Sequence, residues 1–259
     1  MVFKYKFTLF IFVLGMTFLS GCFVFKNSTN KGKLEEMTDN KKMIFTFLSA
    51  PGAGKGTLAQ RCADKLNFLV LSTGDLFRQH TANNTTIGQE LKKYMEAGQL
   101  VPDELVVKMV KEWLVSRKES DRPIILDGFP RTSVQAQKLL EIIQRDMPEH
   151  NFRVVKLEIP LKEISQRLIN RRVCPNKDCQ AVYNTSMLEI VDGKCLKCGT
   201  DLILRKDDEP KVIADRFEVY DKHEKELINY YESEGLIIEI LNVSKKNPDQ
   251  IFEEFKTIL

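Results

Sequence analysis

The segment Ser49-Ala50-Pro51-Gly52-Ala53-Gly54-Lys55-Gly56-Thr57 organises the rest of this chain. It follows the apolar run Met43 to Leu48 and precedes a helical pattern that continues to Leu66, so its context is strand, glycine loop and helix. A glycine-rich turn that opens a helix directs backbone N–H groups and the positive helix end at a phosphate, and Lys55 adds a mobile cation. The segment therefore predicts a phosphate-binding loop, against the alternative of an ordinary glycine turn.

The loop departs from the general phosphate-loop pattern at two positions. Ser49 replaces the first glycine, and Gly56 stands where serine or threonine is usual, with Thr57 one place later. In this form the loop resembles that of adenylate kinases and related nucleoside monophosphate kinases. The resemblance implies an ATP site that is formed by Gly52, Ala53, Gly54, Lys55, Gly56 and Thr57.

Composition limits the class of protein. The chain has 259 residues, of which 43% are hydrophobic and 29% are charged, so it can bury a full core as one or two domains. Its formal net charge of +3, from 39 basic and 36 acidic residues, is too balanced for a nonspecific polyanion binder. Nucleic acid is therefore not the leading partner.

The N-terminal region resembles a secretion signal. Lys4 and Lys6 precede the apolar run Phe7 to Leu19, which is too short to span a bilayer, and Leu19-Ser20-Gly21-Cys22 resembles a lipoprotein cleavage box. A start at Met37 or Met43 would remove this region. We predict an N-terminal extension over residues 1–42, a kinase domain over residues 43–259 and a cytoplasmic location. A lipid anchor on Cys22 is the alternative, and only then would a membrane be a partner.

The second apolar run, Phe68 to Leu71, leads into Ser72-Thr73-Gly74-Asp75, where three side chains could each cap the next helix. The resemblance gives this region a further role, because adenylate kinases bind AMP through the matching residues. It implies that Thr73 and Arg78 contact AMP and that the backbone of Gln99, Leu100 and Val101 faces the adenine. Residues 72–101 are the predicted AMP-binding segment.

A third buried strand ends in Asp127-Gly128-Phe129-Pro130-Arg131-Thr132, with Gln135 in the helix that follows. Ligands of open parallel sheets gather at the carboxyl ends of strands. Asp127 is suited to hold Mg²⁺ through water, Arg131 to reach a phosphate and Gln135 to pair with an adenine edge. The run from Asp127 to Thr132 is among the most specific signatures of the adenylate kinase family, which also places Gly128 in the AMP site.

Four further arginines follow from the resemblance. The pattern predicts a strand from Val154 to Ile159 and then a helix from Leu161 to Arg172, with Arg167 and Arg171 on one face. A solvated helix face would explain this pair equally simply, but the resemblance implies that Arg167 stacks on the ATP adenine and that Arg171 binds phosphate. It also implies that Arg205 and Arg216 contact the phosphates of both nucleotides. Asp207 and Asp208 are predicted to form ion pairs.

Four cysteines form two closely spaced pairs, Cys174 with Cys179 and Cys195 with Cys198, which 15 residues separate. Four soft ligands suit a tetrahedral structural Zn²⁺ site better than disulfides or idle thiols. Zinc-binding adenylate kinases usually have two residues between the first pair, so the four found here make Cys179 the least secure ligand. By resemblance, residues 171–208 form a lid in which Val182 and Tyr183 contact ATP.

Five apolar strands alternating with helices predict an α/β fold with a five-stranded parallel sheet and two insertions. The resemblance implies that these insertions are an AMP-binding helical segment and a lid. The resemblance to a long-lid bacterial adenylate kinase covers residues 43–259 and implies a monomer that transfers phosphoryl from MgATP to AMP. It assigns catalysis to Lys55, Arg131, Arg171, Arg205 and Arg216. The alternatives are a kinase for another nucleoside monophosphate and a non-catalytic, zinc-stabilised nucleotide-binding lipoprotein. His80, His150 and His223 match no step and are predicted to lie at the surface.

Overall fold

A computed structural model describes residues 42–176, 179–185 and 191–259. The predicted extension, including Cys22, lies outside the described residues. Within those three ranges, no helix combines the length and the apolar character that crossing a bilayer requires.

The core is a five-stranded sheet in the order β2-β3-β1-β4-β7, in which every pairing is parallel. Both faces of the central strand are buried: Ile44 packs on one side of the sheet, and Phe45 and Phe47 pack on the other. This is why the strand is a continuous apolar run and not an alternating one. The predicted α/β fold class is confirmed. The sheet strands are β1 (Lys42–Leu48), β2 (Leu69–Ser72), β3 (Ile124–Asp127), β4 (His150–Glu158) and β7 (Ile238–Asn242).

Eight α-helices lie within the described residues. Two helices that follow sheet strands have a capping side chain at their first turn. Ser72 Oγ accepts from the Asp75 N–H, and Thr132 Oγ1 accepts from the Gln135 N–H. The helices are α1 (Lys55–Leu66), α2 (Thr73–Ala82), α3 (Thr86–Glu96), α4 (Asp103–Val115), α5 (Ser133–Asp146), α6 (Leu161–Ile169), α7 (Pro210–Ser233) and α8 (Pro248–Lys256).

One predicted helix ends early. The helix expected to reach Arg172 stops at Ile169, and Arg171 begins the short strand β5 (Arg171–Val173), which pairs antiparallel with β6 (Val182–Asn184). Backbone pairing, with Arg171 opposite Asn184 and Val173 opposite Val182, replaces the last helical turn. Arg167 and Arg171 therefore do not share a helix face, and the prediction that they do was wrong.

His150 is also not where it was expected. It is only 7% exposed at the start of β4, and neither ring nitrogen has a hydrogen-bond partner within the part of the chain that the structure describes. Burial, aided by the charge of Lys42, lowers the pKa of His150. The prediction of a surface histidine was wrong here, whereas His80 and His223 are partly exposed.

Candidate active site

A cleft of about 1010 Å³ opens at the carboxyl ends of β1, β2 and β3. Its walls come from the loop before α1, the start of α2, the turn before α4, the end of α6, the β5–β6 hairpin and the start of α7. Apart from Ala53, every residue predicted to bind nucleotide lines it: Gly52, Gly54, Lys55, Gly56, Thr57, Thr73, Arg78, Gln99, Leu100, Val101, Asp127, Gly128, Arg131, Gln135, Arg167, Arg171, Val182, Tyr183, Arg205 and Arg216.

The glycines of the loop are needed for geometric reasons. Gly52 and Gly54 have φ of 91° and 105°, the left-handed region that side chains disfavour. A Cβ on Gly52 would also lie 2.7 Å from Leu168 Cγ, and one on Gly56 would lie 3.1 Å from Asp127 Oδ2. The unusual glycine at position 56 thus lets α1 approach the end of β3.

Ser49, the other departure from the loop pattern, contacts the loop lysine. Lys55 Nζ donates to the Ser49 carbonyl at 2.7 Å and lies 2.8 Å from Ser49 Oγ. Ser49 is not among the residues with positive φ, so its backbone does not call for glycine. Burial lowers the pKa of Lys55 to about 8, an effect that the charge of Asp127 opposes and that of Arg131 reinforces.

The turn after β3 is held from two directions. Thr73 Oγ1 donates to the Gly128 carbonyl at 3.0 Å, and Arg131 Nε donates to the same oxygen at 2.8 Å. Burial raises the pKa of Asp127, and the charge of Lys55 counters part of that rise. Thr73, predicted as an AMP contact or a helix cap, therefore anchors the turn that follows Asp127.

Gln135 is engaged inside the protein as well. Its Oε1 accepts from the Arg131 N–H at 2.8 Å, and its Nε2 donates to Asp103 Oδ1 at 2.8 Å. Asp103 Oδ2 also accepts from Thr132 Oγ1 at 3.0 Å. Sequence reasoning missed Asp103, because an acid in the first turn of a helix is explained by the helix dipole alone.

Four of the six arginines that were predicted to bind nucleotide form ion pairs. Arg171 Nε donates to Asp208 Oδ2 at 2.7 Å, and Arg216 Nη1 lies 3.1 Å from Asp208 Oδ1 and 3.1 Å from Asp207 Oδ2. The predicted ion pairing of both aspartates is present, and the Asp208 side chain has no exposed surface.

The other two pairs lie on two different helices, α2 and α6. Arg78 pairs with Asp75 at the start of α2. Arg167 pairs with Glu163 at 2.7 Å and donates to the Ala53 carbonyl at 3.2 Å. Ala53 thus contributes a backbone contact to the arginine that was predicted to stack on adenine.

Three of the cations that were predicted to bind nucleotide differ from these arginines. Lys55, Arg131 and Arg205 line the cleft, yet none has a carboxylate oxygen within 4.0 Å in residues 42–176, 179–185 and 191–259. Burial, with the charges of Arg78 and Arg171, lowers the pKa of Arg205 to about 10. Cations from three separate segments that line one cleft without direct ion pairs in the described residues favour a ligand with several negative charges, such as a polyphosphate.

The four cysteines form one cluster beside the cleft. Their sulfurs all lie within 4.8 Å of one another, with 3.4 Å between Cys174 and Cys198 and 3.6 Å between Cys179 and Cys195. Tetrahedral thiolate ligands about 2.3 Å from a metal would be roughly 3.8 Å apart, so the cluster could hold a metal ion. Cys179, the least secure ligand in the sequence, lies with the other three.

Tyr183 is shared between the cluster and the cleft. Its hydroxyl lies 3.2 Å from Cys195 Sγ, and its side chain is buried, so the ring belongs to the cysteine cluster. Tyr183 still lines the cleft, so the contact with ATP that the resemblance predicts would be made by those Tyr183 atoms that face the cleft.

Comparison with known proteins agrees with this geometry. The family model for adenylate kinase matches residues 47–236. The adenylate kinase of Archaeoglobus fulgidus is 37% identical over 218 residues, which are 84% of this chain and 98% of that protein. Those of Lactobacillus helveticus and Thermodesulfovibrio yellowstonii are both 40% identical, over 82% and 84% of this chain and over 96% and 99% of their own lengths. The extent of these matches, together with the cleft and its loop, shows that the chain belongs to the adenylate kinase family.

Proposed function

We propose that the cleft binds MgATP on the loop at residues 49–57 and AMP beside Thr73, Arg78 and Gln135, and that it transfers the terminal phosphoryl group between them to give two ADP. The observation that carries this assignment is a set of three predicted site cations, Lys55, Arg131 and Arg205, that have no carboxylate oxygen within 4.0 Å in the described residues. An ATP-binding switch would need one phosphate site, whereas these cations come from three separate segments of the chain. The reaction class is that of the family.

Phosphoryl transfer of this kind asks for positioning and charge more than for acid–base chemistry. Lys55 would neutralise the terminal phosphates from the loop side, and Arg131 and Arg205 would do so from the AMP side and the β5–β6 side. Asp127, at the end of β3, would hold through water the Mg²⁺ that the family uses with ATP, and the ion would supply positive charge to the phosphates. No histidine lines the cleft within the described residues, which agrees with a mechanism that needs no general base.

The ion-paired arginines would act after rearrangement. Asp208 holds Arg171 and Arg216 together at the mouth of the cleft. Phosphate oxygens could replace Asp207 and part of the Asp208 contact, so these arginines would join the reacting phosphates while remaining anchored. Exclusion of water by the lid, residues 171–208, would suppress hydrolysis of ATP.

We infer that the cysteine cluster binds Zn²⁺. Four thiolates in a closed tetrahedral arrangement favour zinc, and they leave no open position for chemistry. The ion would therefore stabilise the β5–β6 hairpin and the returning segment and would not take part in transfer.

The working protein is proposed to be a cytoplasmic monomer in which residues 1–42 are an extension of a kinase domain over residues 43–259. Its substrates ATP and AMP are abundant inside the cell. Its four clustered cysteines, as metal-binding thiolates, suit a reducing compartment. N-terminal sequencing of native protein and cell fractionation test the location. A lipidated Cys22 in the membrane fraction would contradict it.

The proposed reaction is tested with purified protein, MgATP and equal concentrations of AMP, GMP, CMP or UMP. Formation of nucleoside diphosphate is followed by chromatography. We expect AMP to be by far the best acceptor. A better acceptor among the others would favour the alternative nucleoside monophosphate kinase, and binding of ATP without any diphosphate formation would favour the switch.

A further inference from the structure

We propose that Asp103 is a positioning residue that fixes the amide orientation of Gln135 and thereby makes the acceptor site prefer adenine to a 6-oxopurine. The inference rests on the proposed AMP site. It concerns a residue that contacts no nucleotide itself and acts through Gln135.

Asp103 is the first residue of α4 and lies across from the start of α5. Its two carboxylate oxygens have different partners: Oδ1 accepts from Gln135 Nε2 at 2.8 Å, and Oδ2 accepts from Thr132 Oγ1 at 3.0 Å. Thr132 Oγ1 in turn accepts from the Gln135 N–H at 3.1 Å. Gln135 and Thr132 are 2% and 8% exposed, so this small network is shielded from water.

The network permits only one orientation of the Gln135 amide. An ionised carboxylate accepts hydrogen bonds and donates none, so the group that faces Asp103 must be the NH₂. On its other side the amide meets the Arg131 backbone N–H at 2.8 Å, which can only donate and so must face Oε1. A flipped amide would place two donors together at one end and two acceptors together at the other.

A fixed amide can distinguish the two purine edges. Gln135 lines the cleft, and within the described residues its hydrogen bonds leave one Nε2–H and one lone pair of Oε1 for a ligand. Adenine offers a 6-amino donor beside an N1 acceptor, whereas hypoxanthine offers an O6 acceptor beside an N1–H donor. For a base held in one position, an amide fixed in one orientation pairs with the donor and acceptor of adenine. The same amide would face the donor and acceptor of hypoxanthine in the wrong order.

Asp103 also connects the two sides of this pocket. It lies two residues beyond Val101, at the end of the turn Gln99–Leu100–Val101 whose backbone is proposed to face the adenine. The same side chain thus ties that turn to α5 and to Gln135. Asp103 therefore fixes both the position of the turn beside the adenine and the orientation of the Gln135 amide.

The test compares Asp103→Ala, Asp103→Asn and Glu104→Ala. Glu104 is the matched control, because it is an exposed acid in the same helical turn and makes no hydrogen bond or ion pair within the described chain. For each protein, kcat and KM are measured with MgATP and either AMP or inosine monophosphate, and the dissociation constants of both monophosphates are measured by calorimetry.

We expect Asp103→Ala to reduce the preference for AMP over inosine monophosphate about tenfold, the effect of one lost hydrogen bond, mainly through a higher KM for AMP. Asp103→Asn should keep most of the preference, because its Oδ1 can still accept from Gln135 Nε2. Glu104→Ala should leave the preference unchanged. If Asp103→Ala does not fold, Asp103→Ser replaces it, since serine suits the start of a helix but its hydroxyl does not reach Gln135.

A double-mutant cycle separates positioning from a purely structural role. In a Gln135→Ala background, removal of the Asp103 carboxylate should change the preference no further. An additive effect, or a lower melting temperature of Asp103→Ala with an unchanged preference, would overturn the inference. Failure of the proposed function would look different, as AMP binding without ADP formation, and the dissociation constants would still decide the role of Asp103.

Discussion

The nucleotide cleft and the cysteine cluster both gather groups of one kind, but only one of the two sets is complete by itself. The cluster brings four sulfurs within 4.8 Å, which is a full ligand set for one metal ion. The cleft brings Lys55, Arg131 and Arg205 together, and none of the three forms an ion pair within the described residues. A closed and complete donor set indicates a structural role, whereas an open and unbalanced one indicates a ligand that comes and goes.

The largest expected effect concerns the cluster. Chelation, or Cys195→Ser, should release the bound metal and unfold the hairpin region before the core, because a structural metal contributes folding energy directly, on the order of 10 kcal/mol in small zinc domains. Metal content and calorimetric unfolding measure this. Cys62→Ala is the control, since Cys62 is buried outside the cluster and its loss should leave metal content unchanged. A metal-free protein with an unaltered melting curve would contradict the structural role of the cysteine cluster.

The next effect concerns the cleft and should be kinetic. Lys55→Met or Arg131→Met should lower kcat about 10²–10³-fold, the typical loss when one preorganised charge at a transition state is removed. The free energy of unfolding should change by less than about 1 kcal/mol, because neither side chain forms an ion pair within the described residues. Lys92→Met, which removes an exposed lysine outside the cleft, is the control. An active Lys55→Met enzyme would contradict the proposed mechanism.

Asp208 should combine both kinds of effect. Its fully buried carboxylate holds Arg171 and Arg216, whose side chains are 15% and 18% exposed. Asp208→Asn should therefore destabilise the protein by about 2–3 kcal/mol, since it leaves buried charge unpaired, and should also lower kcat. Asp207→Asn should cost less, because Asp207 pairs with Arg216 alone and is 22% exposed. Denaturant unfolding compares the two, and equal losses would contradict this account.

The smallest expected effect is the uptake of a proton by Lys55 when ATP binds. The pKa of Lys55 is lowered to about 8, so the lysine loses its charge as the pH rises through that value, while bound phosphates should raise the pKa again. ATP binding should therefore weaken above pH 8 and should take up protons there. Calorimetry at pH 8.5 in two buffers of different ionisation enthalpy measures the uptake. It should vanish in Lys55→Arg, which stays charged, and its absence in the wild-type protein would refute the assignment.

Much of this protein is encoded in short stretches of its sequence. The strand, loop and helix around Lys55, the run from Asp127 to Thr132 and the apolar strands predicted the fold, because backbone geometry and buried strands impose local patterns. Nearly every residue that the sequence predicted to bind nucleotide lines the cleft. The spacing of the cysteines similarly predicted a cluster that includes Cys179.

Tertiary structure alone settled which charges are paired and which are not. Arg171 meets Asp208 across 37 residues, and Thr73 meets Gly128 across 55, so no local pattern reports these contacts. The same holds for Asp103 and Gln135, whose network spans two helices. Arg171 lies on a strand and His150 is buried because pairing and packing with distant segments outweigh weak local preferences. Local sequence patterns thus identify the candidate side chains, and long-range contacts decide whether each one is available to a ligand, holds another residue in place or is buried in the core.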